Sequence, residues 1–191
     1  SIFRSETFGY LEEVPQASVI TEFMGSMVYA GFDGEEQTAY SFDLPQEQTD
    51  VPEFLVNVGR GSVTEARGTI YMSDAGMPEA VPSATYQTLG TGEKITALHG
   101  IGTTLYAFTN QSIFAGSFDA SKQSVGLMGK VVSGVGCVSQ RTVVEGKGLT
   151  AFLSVDGVYA LSGGSVVKIS SDIDDMFTED GWEIAAIYNM S

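Results

Sequence analysis

The sequence predicts an all-β chain: antiparallel meander sheets in a propeller-like arrangement, with short helices between units. Three observations lead there. The 23 glycines have no collagen-like period and fall between short apolar runs, as in many strands joined by tight turns. Asp-Gly and Gly-Gly pairs sit between runs of four to seven strand-forming residues. A strand–turn–strand pattern also recurs, starting at Ile20 and again at Ile95, 75 residues later.

The first copy runs Ile20-Thr21-Glu22-Phe23-Met24-Gly25, then Ser26-Met27-Val28-Tyr29-Ala30, and resumes after a turn at Tyr40-Ser41-Phe42-Asp43. The second runs Ile95-Thr96-Ala97-Leu98-His99-Gly100, then Thr103 to Phe108, turns at Thr109-Asn110, and continues from Ser112 to Asp119. A third unit starts at Thr142-Val143-Val144-Glu145-Gly146 and passes through Leu149 to Ser154. It turns at Asp156-Gly157, returns through Val158 to Ser162, turns at Gly163-Gly164 and ends in Ser165 to Ser170. This is a four-stranded antiparallel meander, one propeller blade in outline. Because strand side chains alternate, Val158, Ala160 and Val166 are expected on one face of it, with Tyr159 and Leu161 on the other.

Units are thus expected at about residues 17–43, 54–119 and 141–178, all parts of one propeller-like domain. Residues 171–178 fit a short closing helix, with Ser171 and Asp172 as caps and Ile173, Met176 and Phe177 on one face. Residues 44–53, bracketed by Pro45 and Pro52, read as a loop. Residues 182–188 (Trp-Glu-Ile-Ala-Ala-Ile-Tyr) read as the entry to a further unit. Three partial units are too few to close a propeller, which needs about four blades. The opening residues lack an initiator Met and an apolar leader, so the chain is expected to be a segment of a longer one.

Composition narrows the function. At 43% hydrophobic and 17% charged, the chain is no disordered tail. No apolar run approaches the roughly 18 residues of a membrane-spanning helix. The formal charge of −15 is concentrated at the ends: residues 1–55 hold eleven acidic residues against Arg4, and residues 171–191 hold six against none. Residues 56–170 carry seven acidic and eight basic residues, so no basic footprint for a duplex is visible.

Catalysis by a Ser–His–acid or Cys–His arrangement needs a histidine beside its nucleophile, and the only one is His99, expected at a strand end before Gly100. Cys137, the single cysteine, cannot form an internal disulfide and reads as a small buried residue. Asp172, Asp174, Asp175, Glu179 and Asp180 do not follow the order of a calcium loop and read as a solvated helix end. No phosphate loop, nucleophile elbow or zinc ligand set appears, so no catalytic, cofactor-binding or metal residue is assigned. The aromatics Tyr29, Tyr40, Phe42, Tyr71, Tyr106, Phe108, Phe114, Phe118, Phe152 and Tyr159 occupy strand positions and are expected to pack in cores and across strands.

One stretch is more specific. Thr69-Ile70-Tyr71-Met72-Ser73-Asp74-Ala75-Gly76-Met77-Pro78-Glu79 resembles the strand and "S-D-x-G-x-P-E" turn of the tail nozzle and packaged-DNA stabilisation proteins of short-tailed bacteriophages. The elements that follow keep that family's order: Lys94 to Leu98, Leu105 to Phe108, Gln111-Ser112-Ile113-Phe114-Ala115-Gly116, Gly136-Cys137-Val138-Ser139, and Phe152-Leu153-Ser154-Val155-Asp156-Gly157-Val158-Tyr159. The resemblance covers about 110 of the 191 residues and matches residues 1–55 only loosely.

It implies a structural protein of the virion tail, without catalysis or cofactor. The copies would form a ring, a hexamer, below the portal adaptor and beside tail fibre or spike proteins. DNA would pass through the lumen without specific binding, and no membrane would be involved. The rival expectation is a propeller-type binding module recognising carbohydrate or protein, which needs exposed aromatics on one face. A hydrolase is a third, weakened by the single histidine. Residues 73–79 are expected to form a tight turn through Asp74 and Gly76, with Pro78 blocking immediate resumption of the strand.

Overall fold

The structure, a computed structural model, describes residues 15–33, 67–82, 85–90, 92–146 and 148–177. Among these, thirteen strands form three antiparallel sheets.

The first sheet is β1 (Val19–Phe23), β2 (Ser26–Ala30), β3 (Thr69–Met72) and β4 (Gln87–Thr88), paired in that order. The second is β5 (Ala97–Ile101), β6 (Thr104–Phe108), β7 (Ser112–Asp119) and β8 (Ser124–Val125), with β9 (Gly129–Ser133) also paired to β7. The third is β10 (Val144–Gly146), β11 (Leu149–Ser154), β12 (Gly157–Ser162) and β13 (Ser165–Lys168). A 3-10 turn over Ser171–Phe177 follows.

The short turns come from the residues expected to make them. Met24 and Gly25 take positive φ in the β1–β2 turn, and Gly163 and Gly164 do so between β12 and β13. These are the conformations a two-residue hairpin loop requires. After β3, Gly76 has φ +73 and the Met77 amide donates to the Asp74 carbonyl at 3.2 Å, so residues 74–77 turn as expected. The Tyr29 hydroxyl donates to the Pro78 carbonyl at 2.6 Å and holds this loop against β2.

The sheets divide the chain differently from the expected units. The third strand of the first sheet is β3, reached only after residues 31–68, so residues 69–88 complete that sheet instead of opening the next. Tyr40-Ser41-Phe42-Asp43, the loop at 44–53 and residues 182–188 lie outside the described residues. The third meander, by contrast, has the expected four strands in the expected order and the expected Gly163-Gly164 turn. Its β11–β12 turn falls one residue earlier than expected, at Val155-Asp156, because Gly157 already pairs with Ser154. Its first strand starts at Val144, after a 3-10 turn through Thr142.

Two further expectations about that meander need correction. Val166 sits opposite Leu161, and directly opposed residues share a face, so it packs with Tyr159 and Leu161 and not with Val158 and Ala160. The two-glycine turn sets this register by pairing Ser162 with Ser165. The closing helix is 3-10 in form, broken at Ile173 (φ −129, ψ 26), whose side chain is exposed instead of packed inward.

The sheets stack in chain order, with cores between them. Val19, Phe23, Val28, Ile70, Met72, Leu98, Leu105 and Phe114 fill the space between the first and second. Ala97, Tyr106, Phe108, Ile113, Cys137, Phe152, Tyr159 and Leu161 fill that between the second and third. This explains the unbroken apolar run Leu105-Tyr106-Ala107-Phe108. Along β6, Leu105 and Ala107 face the first sheet, while Tyr106 and Phe108 face the third. Buried on both sides, β6 carries apolar residues at four successive positions. The first sheet's other face carries Tyr29 and Tyr71, covered by Phe32 and Val81 from the chain's own loops.

Candidate functional site

The feature that repeats along the chain is the seam where each sheet's opening strand meets the next. Strand β1 packs against β5, with the Phe23 ring lying where a side chain on Gly100 would be. One step on, β5 approaches β10: His99 Nε2 lies 3.5 Å from Glu145 Oε2. The opening strands of the first two sheets are therefore packed together, and that of the second reaches the third through the His99–Glu145 pair.

Two glutamine amides stitch the seams by imitating peptide groups. Gln87 on β4 donates from Nε2 to the carbonyls of Val125 and Gly126 and accepts from the Met128 amide at 3.3 Å. Gln140, in the 3-10 turn Gln140–Thr142, accepts from the Leu98 amide at 2.7 Å and donates to the Leu98 carbonyl at 3.0 Å. An amide that both donates and accepts can satisfy the open edge of β5, whose backbone groups would otherwise be costly to bury. Neither glutamine stands out in the sequence. The signal was only that each lies in the segment that leads from one sheet towards the next.

His99 is a mid-strand residue of β5, opposite Tyr106, and not the strand end expected. Strand β5 continues to Ile101 because Gly100 pairs regularly with Leu105 instead of turning. Its Nε2 is buried within ion-pair reach of Glu145 but makes no hydrogen bond. Cys137 is buried, its thiol donating to the Ser139 carbonyl at 3.2 Å and lying 3.4 Å from the Thr142 hydroxyl. Burial pushes this thiol above its ordinary range, against the lowering effect of those two contacts. The structure does not join His99 and Cys137 through any hydrogen bond.

Among the described residues, no three Asp, Glu, His or Cys side chains are placed to hold a metal ion. Asp172 is exposed; Glu179 and Asp180 lie outside the described residues. One apolar cavity of about 10 Å³, lined by Val28, Ile70, Met72, Leu105, Val125 and Met128 among others, lies between the first two sheets. That is room for about one water and not for a metabolite.

The described lysines have local partners. Lys94 pairs with Asp33, whose carboxyl is held below its usual range by that bond and, more weakly, by Arg67. Lys122 pairs with Asp119 at 3.8 Å and Lys168 with Asp156 at 3.7 Å, while Lys130 lies 5.4 Å from the centre of the Phe114 ring. The expected aromatics that are described lie in or against the cores: Tyr29, Tyr71, Tyr106, Phe108, Phe114, Phe152 and Tyr159 are buried, and Phe118 packs edge-on against Phe23 at 6.0 Å. Tyr40 and Phe42 lie outside the described residues.

Two buried acids set the response to alkali. Burial raises the Cys137 thiol and the Tyr29 phenol above their ordinary values of 9.0 and 10.0, and nearby Glu79 raises Tyr29 further. A folded state that holds its protons longer than the unfolded chain is favoured below the unfolded values. That advantage is lost as pH climbs through the raised folded ones. The urea midpoint is therefore expected to fall from about pH 9 upward, and Cys137→Ala is expected to flatten the first part of the fall. A midpoint that stays level up to pH 11 contradicts this.

No protein-family model matches the chain, and no curated protein matches it.

Proposed function

We propose that the chain is a structural, propeller-like segment of a bacteriophage tail nozzle, part of a ring-shaped conduit that retains DNA and releases it. The observation that carries the reading is the succession of three antiparallel meanders stacked in chain order, with β1 packed on β5 and His99 of β5 reaching Glu145 of β10. Blades arranged around an axis have this relation, and the motifs that resemble the nozzle family occur within these same sheets.

The electrostatics suit a conduit. Binding a duplex requires lysines or arginines grouped to displace counterions from phosphates. Here Lys94, Lys122 and Lys168 are each occupied by an aspartate, on a chain of formal charge −15. A wall of this kind does not grip the duplex, which can slide under internal pressure. At physiological salt its repulsion reaches only about 8 Å, so it need not push strongly either.

Two measurements test the proposal. Electron microscopy of the native assembly should show rings with the chain in the tail. A gel-shift titration of the isolated protein at low salt, where any attraction is exaggerated, should show no binding to random duplex. Micromolar binding would overturn the sliding conduit in favour of a nucleic-acid-binding role. A monomer at all concentrations, with no ring in the native particle, would overturn the tail assignment.

A further inference from the structure

The two seams between the sheets differ in how completely their polar groups are satisfied. At the first, both ends of the Gln87 amide find partners, on Val125, Gly126 and Met128. At the second, alternation along β11 aims Thr150, Phe152 and Ser154 at the second sheet, with Glu145 opposite Thr150. His99, opposite Tyr106, faces them from β5. Among the described residues, the buried side-chain polar atoms without a hydrogen-bond partner are His99 Nε2, Thr150 Oγ1 and Ser154 Oγ. All three stand at this second seam. Polar atoms buried in this way oppose closure, because each regains water when the seam parts. The rim of the second core is also wetter: Ile101, Ala115, Val132, Val135, Val143 and Val166 are half-buried there, against Leu89 and Phe118 around the first.

We infer that the third sheet parts from the other two as a unit, pivoting at Val143, before the rest of the fold opens. The connection that precedes it belongs to the second sheet. The Gly134 amide donates to the Gln111 carbonyl at 2.8 Å and the Cys137 amide to the Thr109 carbonyl at 2.9 Å. Gln140 adds its two bonds to Leu98. The same connection holds the third sheet more lightly. The Val138 amide donates to the Leu153 carbonyl at 2.9 Å, and the Leu153 amide reaches Thr142 Oγ1 only at 3.4 Å. Val143 follows directly, before β10 begins at Val144. Beyond it, unbroken ladders join β10 to β13, so the sheet moves whole. Openings of this kind involve cooperative units of neighbouring strands. The inference rests on the second seam and is independent of the tail reading.

Native-state hydrogen exchange of the full chain, in a urea series below the unfolding midpoint, tests this. Amides of β11 and β12 should exchange faster, and with a weaker urea dependence, than those of β2 and β6, because less surface is exposed. Ile70→Val trims the first core, which stays closed when the third sheet parts. It should speed exchange in β2 and β6 about fivefold and leave β11 and β12 within about twofold of the parent. Thr150→Val replaces the unpartnered hydroxyl by a methyl group and should slow β11 and β12 several-fold. One common rate and urea dependence for all four strands would overturn the proposal. So would an Ile70→Val effect shared equally by β11 and β12, or Thr150→Val rates there equal to the parent's.

Discussion

Phe152→Ala is expected to cost about 3–5 kcal/mol of folding stability, the range for deleting a buried aromatic side chain. Phe152 is fully buried between the second and third sheets, with ring centres 5.1 Å from Phe108 and 6.1 Å from Tyr159. Removing it takes a partner from both rings and leaves a space bounded by the strands of two sheets. Paired backbones can close such a space only by breaking register, so most of the cavity persists. Urea unfolding monitored by circular dichroism measures the loss. Val131→Ala, on the exposed strand β9, is the control and should stay within about 0.5 kcal/mol of the parent. If the two substitutions cost the same, the second and third sheets do not share a core.

Gly136→Ala is expected to destabilise by about 3 kcal/mol, the upper part of the usual range for overpacking. Its φ is not positive, so the reason is space and not backbone strain. A Cβ there would run into the backbone of the β6–β7 turn, at the Thr109 carbonyl oxygen, the Asn110 carbonyl carbon and the Gln111 nitrogen. Neither side can give way easily. The Cys137 amide donates to the Thr109 carbonyl at 2.9 Å and the Gly134 amide to the Gln111 carbonyl at 2.8 Å, which clamps the connection to the turn. Thr109 itself is buried and closes the turn by accepting from the Ser112 amide at 2.9 Å. Gly129 provides the comparison: an added Cβ there meets nothing within 4 Å. Gly129→Ala should therefore be close to neutral, and a Gly136→Ala protein as stable as that control would refute the close approach.

Gly136 also shows how a sequence motif and its physical cause can come apart. Gly136-Cys137-Val138-Ser139 is legible as a motif in the chain's residues alone, but the reason for its glycine lies in a turn 25 residues earlier. His99 makes the same point from another direction. A histidine next to a glycine reads as a strand end, yet the ladder with β6 continues through both residues. The glycine there makes room for the Phe23 ring of a different sheet.

What the sequence determined by itself was everything governed by near neighbours. Gly163-Gly164 placed one hairpin of the third meander, and Asp156-Gly157 placed the other to within one residue. Alternation put Val158 and Tyr159 on opposite faces, and Asp74 with Gly76 marked the turn after β3. Turn geometry and side-chain alternation are local, so a handful of adjacent residues suffices to specify them. The tertiary structure alone decided which strands share a sheet. It brought β3 to β2 across residues 31–68, put Val166 on the face of Leu161, and set Gln87 and Gln140 at the seams. These pairings depend on which apolar faces bury one another and which open backbone edges find a donor and an acceptor. Both are satisfied by residues far apart in the chain, so no window of sequence contains the reason.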